Sequence, residues 1–283
     1  MTDSKAILLS GGARGIGRCM ARHFLQRGHK VFILDIDEDE LKHTAEKHLA
    51  KYKGKVSYRV CDLTDTNAIR SSVKQAAEFF GGHIDVVINN GGIATPNWKN
   101  GATMEDPATL DQFQLYLDTN LRAPFAVVQA AIPFMKIAGG ASSGKETRQN
   151  YLDAKTERGI KGAGPCIINI SSFRAQMSDA NQEGYAASKA GNNGLTHSIA
   201  VSASQWGIRV NSVSPGRIKA TYESKEGDES GKGLEFDDKD YEQHSTNRAG
   251  KPEDIAEAVE YLINAGFVTG QDITVDGGAV IQK

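Results

Sequence analysis

Seven short apolar runs punctuate the chain, at residues 6–9, 31–34, 56–60, 84–88, 166–170, 208–213 and 273–275. Runs without apolar/polar alternation are what strands buried on both faces look like. Each of the first six is followed by a turn-like Gly, Asp or Asn and then by a stretch with helical periodicity. That rhythm predicts an α/β fold, a doubly wound parallel sheet of about seven strands with helices on both faces, rather than a sandwich or a helical bundle. No fixed-period repeat or seam divides the chain, which reads as one domain over residues 1–283.

Two stretches interrupt the rhythm. Residues 139–164 are polar and rich in Gly, Ser and Lys, with Tyr151, Leu152 and Ile160 as their sizeable apolar groups. Such a segment buries little apolar surface, so it is expected to be a surface insertion carrying at most one short docked helix. Residues 223–239 are charged, contain Gly227, Gly231 and Gly233, and fall in a loop region of about 217–247. A long loop in a compact domain is either a lid or a solvated excursion, and both readings stand.

Charge narrows the function classes. With 33 Lys+Arg against 35 Asp+Glu the net charge is −2, so no broad basic face for nucleic acid or anionic membrane is expected. No window approaches the roughly 18 apolar residues of a membrane span. The first apolar run is too short for a signal peptide and stops at Gly11-Gly12. Cys19, Cys61 and Cys166 match neither a metal-ligand spacing nor a disulfide framework, which points to a reducing compartment, the cytoplasm. The 7 histidines show no ligand spacing, so no metal site is expected.

Candidate chemistry begins after the first run, at Ser10-Gly11-Gly12-Ala13-Arg14-Gly15-Ile16-Gly17. In isolation such an octet is an ordinary strand–helix turn. After the first strand of a parallel sheet, its glycines let backbone N–H groups approach a pyrophosphate at the positive end of a helix, which makes the expected fold Rossmann-type. Asp35 ends the second run, placed to accept hydrogen bonds from an adenosine ribose, while Asp37 is the better candidate to cap the following helix. Arg14 could pair with a 2′-phosphate, but Asp35 would repel one, and the run Asp37-Glu38-Asp39-Glu40 offers no cation to offset it. The expected cofactor is therefore NAD rather than NADP.

A second candidate is Tyr185-Ala186-Ala187-Ser188-Lys189, whose i, i+4 spacing puts phenol and amine on one helix face. Alone, this pair would be an ordinary surface contact. A phenol titrates near ~10, too high for acid–base work at neutral pH, and a nearby ammonium is expected to favour the phenolate.

Together these motifs resemble the short-chain dehydrogenase/reductase family over nearly the whole chain. Ser10 stands where the family usually has Thr, keeping the hydroxyl. Cys61-Asp62-Leu63 resembles its adenine-binding segment, and Asn89-Asn90-Gly91-Gly92 its Asn-Asn-Ala-Gly turn, with Gly91 in place of Ala. The resemblance assigns Ser172, 13 residues before Tyr185, as the substrate-orienting Ser, and Asn120 as the helix Asn that completes a tetrad with Tyr185 and Lys189. It implies that Tyr185 exchanges the proton while hydride moves to or from a nicotinamide. Lys189 would hold the ribose and lower the tyrosine pKa, and Asn120 would keep a water in the relay. Pro215, Gly216 and Ile218 would border the nicotinamide. Ala220 stands where the family has a Thr, leaving Thr221 or the backbone to bond the carboxamide.

The resemblance thus implies an oxidoreductase interconverting an alcohol and a ketone or aldehyde. It further implies a small-molecule substrate and a homo-oligomer, dimer or tetramer. The rival from another class is a catalytically silent NAD(P)-binding redox sensor or scaffold on the same fold. Specificity would lie in loops at 93–103, 173–183 and 217–247, which carry Trp98, Met177 and Tyr222. Trp98 and Trp206 read as packing residues.

Overall fold

A computed structural model describes residues 4–135, 163–231 and 233–282. The predicted insertion, apart from Ala163 and Gly164, lies outside the described residues. Seven strands form one sheet: β1 Ala6–Ser10, β2 Lys30–Asp35, β3 Val56–Val60, β4 Val86–Asn89, β5 Cys166–Ile170, β6 Arg209–Pro215 and β7 Asp272–Val275. All neighbours run parallel, in the order β3-β2-β1-β4-β5-β6-β7. The helices are α1 Gly15–Gln26, α2 Glu38–His43, α3 Thr66–Phe80, α4 Thr109–Leu117, α5 Ala123–Met135, α6 Glu183–Ala203, α7 Lys225–Ser230, α8 Asp238–Glu242 and α9 Pro252–Asn264.

The apolar runs exist because both faces of the central strands are covered. Ile7, Leu9, Val31, Ile33, Val86, Ile88 and Ile168 point into a layer closed by Met20 and Phe24 of α1 and Val259 and Leu262 of α9. Ala6, Leu8, Phe32, Leu34, Val87 and Ile167 point the other way, onto Val73 of α3, Val127 of α5 and Ile199 of α6. Period-2 side chains thus meet an apolar layer at every position, as expected for parallel strands inside βαβ units. The edges depart from that expectation. β7 is half-buried throughout and β3 is half-buried except for the exposed Val60, because each has one strand neighbour among the described residues. Asp37 caps α2, its carboxylate accepting from the Glu40 N–H at 3.1 Å, and Pro252 opens α9, where its missing N–H costs no hydrogen bond.

Between α4 and α5, residues Asp118–Arg122 form a single π turn holding Asn120. The strand order reverses between β1 and β4, so connections leave these strands in opposite directions and open a crevice at the carboxyl edge of the sheet. Among the described residues, no helix is long and apolar enough to cross a membrane.

Candidate active site

The glycine turn after β1 is closed by direct backbone packing. A Cβ on Gly17 would lie 1.9 Å from the Gly11 carbonyl oxygen, so only glycine lets α1 start this close to the strand. The turn is fastened to the one after β4. Asn90 Nδ2 donates to the Gly11 carbonyl at 2.7 Å, and Ser10 Oγ accepts from the Gly91 N–H at 3.1 Å. The hydroxyl that Ser10 shares with Thr is what makes this second link. Leu63 packs against Gly91, the glycine standing where a methyl is usual.

Asp35 occupies the predicted place at the end of β2, where its carboxylate accepts from the Ala13 N–H at 2.9 Å and the Asp37 N–H at 3.2 Å. Arg14 is exposed, at the N-cap of α1. Asp62 is exposed too, and its Oδ1 accepts from the Thr64 N–H and Oγ1, both at 2.8 Å. The Gly15 N–H donates to the Glu223 carbonyl at 2.6 Å, bringing the loop after β6 across the turn.

Ser172, Tyr185 and Lys189 converge where β5 ends against α6. Ser171 ties the two elements, donating through Oγ to the Lys189 carbonyl at 3.0 Å, while its N–H reaches Val213 O at 2.8 Å. Tyr185 sits in the first turn of α6, buried against Tyr116 edge-to-face at 6.0 Å, with Trp98 tilted against Tyr116 at 5.9 Å. Trp98 is therefore a packing residue, its indole N–H bonded to Glu183 at 2.9 Å. Gly184 makes room for this trio, since a Cβ there would come within 2.7 Å of Trp98. The Lys189 ammonium donates to Ile170 O at 3.1 Å and lies 5.7 Å from the Tyr185 ring centre.

Burial governs the titration of both groups. It holds the Lys189 amine down at about 8. It pushes the Tyr185 phenol up, against a hydrogen bond from Ser172 and the charge of Arg174, which favour the phenolate. The expected lowering of Tyr185 by Lys189 is thus not what the geometry gives: the cation acting on the phenol is Arg174. Asn120 is committed to positioning. Its Oδ1 accepts from the Ile93 N–H at 2.8 Å, its Nδ2 donates to Ser188 Oγ at 3.2 Å, and its carbonyl, released by the π turn, accepts from Asn192 Nδ2 at 3.0 Å.

These groups wall a cleft of about 460 Å³, with Ile16 and Asn90 at one end, Pro215, Gly216 and Ile218 along one side, and Ser172, Tyr185 and Lys189 on the other. Asp35, Asp62 and Thr221 are not among its lining residues; Thr221 is exposed, its carbonyl accepting from Ser224 Oγ at 2.8 Å. Arg174 and Arg217 line the cleft and escaped the sequence reading. The one available signal was a cation two residues after Ser172, and nothing in the sequence said it would be buried. The glycine turn at the N-terminus of α1, leading into a cleft lined by Ile16, Asn90 and Pro215-Gly216, fits a nicotinamide dinucleotide.

Comparison with known proteins agrees with this geometry. The family profile for short chain dehydrogenase matches residues 5–145, and one described as enoyl-(acyl carrier protein) reductase matches residues 151–280. An uncharacterized oxidoreductase of Thermotoga maritima is 33% identical, covering 100% of this chain and 98% of its own length. Trans-4-hydroxycyclohexanecarboxylate dehydrogenase of Sinomonas cyclohexanicum is 31% identical, over 97% of this chain and 92% of its own. A solved 7α-hydroxysteroid dehydrogenase, complexed with NADH and 7-oxo glycochenodeoxycholic acid, superposes with a TM-score of 0.75 at 26% identity, covering 98% of this chain and 94% of that one. Glycine turn, strand order and sequence kinship lead to one conclusion: the chain belongs to the short-chain dehydrogenase/reductase family, NAD(P)-dependent oxidoreductases acting on CH–OH groups of small molecules.

Proposed function

We propose that the protein interconverts a secondary alcohol and its ketone by hydride transfer at the Ser172–Tyr185–Lys189 wall, with NAD(H) as cofactor. The observation that carries this reading is the convergence of these three side chains on the cleft that begins at the glycine turn. Bound there, the nicotinamide supplies or accepts the hydride. Ser172 donates a hydrogen bond to the substrate oxygen, and Tyr185 gives or takes its proton. Lys189 holds the nicotinamide ribose, while the charge of Arg174 favours the phenolate when Tyr185 has released its proton. Asn120 keeps the turn after β4 and α6 in register. Donors fixed before the reaction meet the charge that develops on oxygen, the main catalytic contribution expected of such a site.

The relatives named for a hydroxycyclohexanecarboxylate and a hydroxysteroid support a ring alcohol as the substrate. Asp35 supports NAD over NADP, because a 2′-phosphate would bring like charge to its carboxylate. Cys19, Cys61 and Cys166, all free and buried, support a cytoplasmic setting, and the family supports a homo-oligomer. The test is NADH and NADPH oxidation, followed by absorbance, against cyclic ketones, diketones, ketoses and steroids. Turnover of a ketone with NADH supports the proposal; binding of the cofactor without turnover of any of them contradicts it and favours a sensor.

A further inference from the structure

Ser172 is followed by a short 3₁₀ turn, Phe173–Ala175, that carries Arg174 into the wall of the cleft. We infer that Arg174 binds a carboxylate of the substrate, so that the site takes hydroxy acids and keto acids; this rests on the alcohol–carbonyl reading of the cleft. The side chain is only 8% exposed, and its Nη1 is buried with no hydrogen-bond partner among the described residues. A buried charged donor without an acceptor is disfavoured, and a ligand carboxylate is the group that would complete it. The rest of the side chain is already held. Nη2 pairs with Asp179 and the guanidinium stacks on the Phe173 ring at 4.7 Å, while the backbone N–H of Arg174 donates to Ser172 Oγ at 3.1 Å and fixes the turn. The fork is therefore oriented before any ligand arrives, the condition under which arginine recognises a carboxylate.

The surroundings give the ligand its charge. Arg174, Lys189 and Arg217 line the cleft, and no Asp or Glu is among its lining residues. Asp179, 44% exposed, offsets part of the arginine charge, which matches a monoanion better than a phosphate dianion. A purely structural arginine, closing the loop through Asp179, accounts for Nη2 and leaves Nη1 unexplained. Because Arg174 lies two residues after Ser172 and lines the same cleft, the carboxylate it holds belongs to the molecule whose oxygen Ser172 orients.

The experiment uses the full chain with NAD, the 3- and 4-hydroxycyclohexanecarboxylates and their methyl esters. Binding of cyclohexanecarboxylate and cyclohexanecarboxamide is measured in parallel by calorimetry. The wild type is expected to prefer acid over ester by at least about tenfold in kcat/KM. Arg174→Gln erases that preference mainly through KM, on top of a fall in kcat shared by acid and ester because Arg174 also acts on the Tyr185 phenol, and Arg174→Lys restores part of both. Equal use of acid and ester by the wild type, or an acid preference that survives in Arg174→Gln, overturns the inference. Ester turnover without acid preference defeats the carboxylate site and leaves the oxidoreductase reading intact. Arg174-dependent binding of cyclohexanecarboxylate without turnover of any alcohol does the reverse. Because the binding arm needs no catalysis, and Arg174→Lys keeps the charge and stem, a poorly folding Arg174→Gln leaves the inference testable.

Discussion

Arg18 on α1 and Glu223, 205 residues later, form an ion pair at 2.9 Å with side chains 1% and 2% exposed. Arg18 also forks onto Asp228 at 2.9 and 2.7 Å, and Arg22 joins Glu223 to Glu253, the latter at 3.1 Å. The loop after β6 and the short α7 are thereby latched onto the helix that begins the glycine turn. Since the Glu223 carbonyl also accepts from Gly15, the latch reaches the dinucleotide end of the cleft.

Breaking this latch from one side leaves a charge buried without its partner. Glu223→Gln should lower unfolding stability by about 3–5 kcal/mol, and the Arg18→Met/Glu223→Gln double variant should recover part of it. Urea unfolding of the set measures both. A loss as small as that of an exposed pair would show that the latch does not hold the loop.

Acid should release the latch late. Burial raises the Asp228 carboxyl, but the hydrogen bonds from Arg18 and His43 outweigh it and hold the group down at about 2 against an ordinary 3.8. A depressed carboxyl contributes stability that is complete above its unfolded value and is lost as pH falls through its folded one. The stability gap between wild type and Asp228→Asn should therefore be constant above about pH 4 and shrink between about 4 and 2. Denaturant titrations across that range measure it.

Lys189 gives the same direction of change in a higher pH window. Its folded value of about 8 lies below the ordinary 10.5, so between these limits the unfolded chain binds more protons. Stability relative to Lys189→Met should then rise as pH increases from about 8 to 10.5 and stay flat below 8. Activity of Lys189→Met should be nearly absent across the range. A flat stability difference throughout would mean the amine is not held in its buried, depressed state.

Much of this site was legible in the sequence because its residues sit where elements end. Gly17, Asp35, Ser172, Pro215 and the Tyr185/Lys189 spacing are local features, each fixed by a strand end or a helix turn. What escaped depends on partners distant in the chain. Nothing near Arg18 foretells Glu223, so the loop region could be bounded but not read as latched. Nothing local in the sequence marks Arg174, and only the packing of Phe173 and Asp179 around it shows the burial. The titration of Tyr185 was read from the neighbour one turn away, whereas the fold lets burial and a second cation decide it. β3, with its sequence Val-Ser-Tyr-Arg-Val, shows at the edge of the sheet the alternation that a half-buried strand requires.

Cofactor choice tests the second strand. Asp35 should give a clear preference for NADH over NADPH in kcat/KM, and Asp35→Ala should narrow the gap from the NADP side by removing the like charge. The same change removes the acceptor of the Ala13 and Asp37 N–H groups, so the variant should also melt earlier. A preference of the wild type for NADPH of about tenfold or more would overturn the assignment.

The most direct test of the account is a comparison of turnover between wild type and Tyr185→Phe on a ketone the wild type reduces, with folding and NADH binding measured on the same samples. The substitution keeps the ring against Tyr116 and removes only the group that exchanges the proton. The account predicts native melting and NADH affinity with turnover reduced by a factor on the order of 10² to 10⁴. Wild-type turnover in a folded, NADH-binding Tyr185→Phe protein would contradict it.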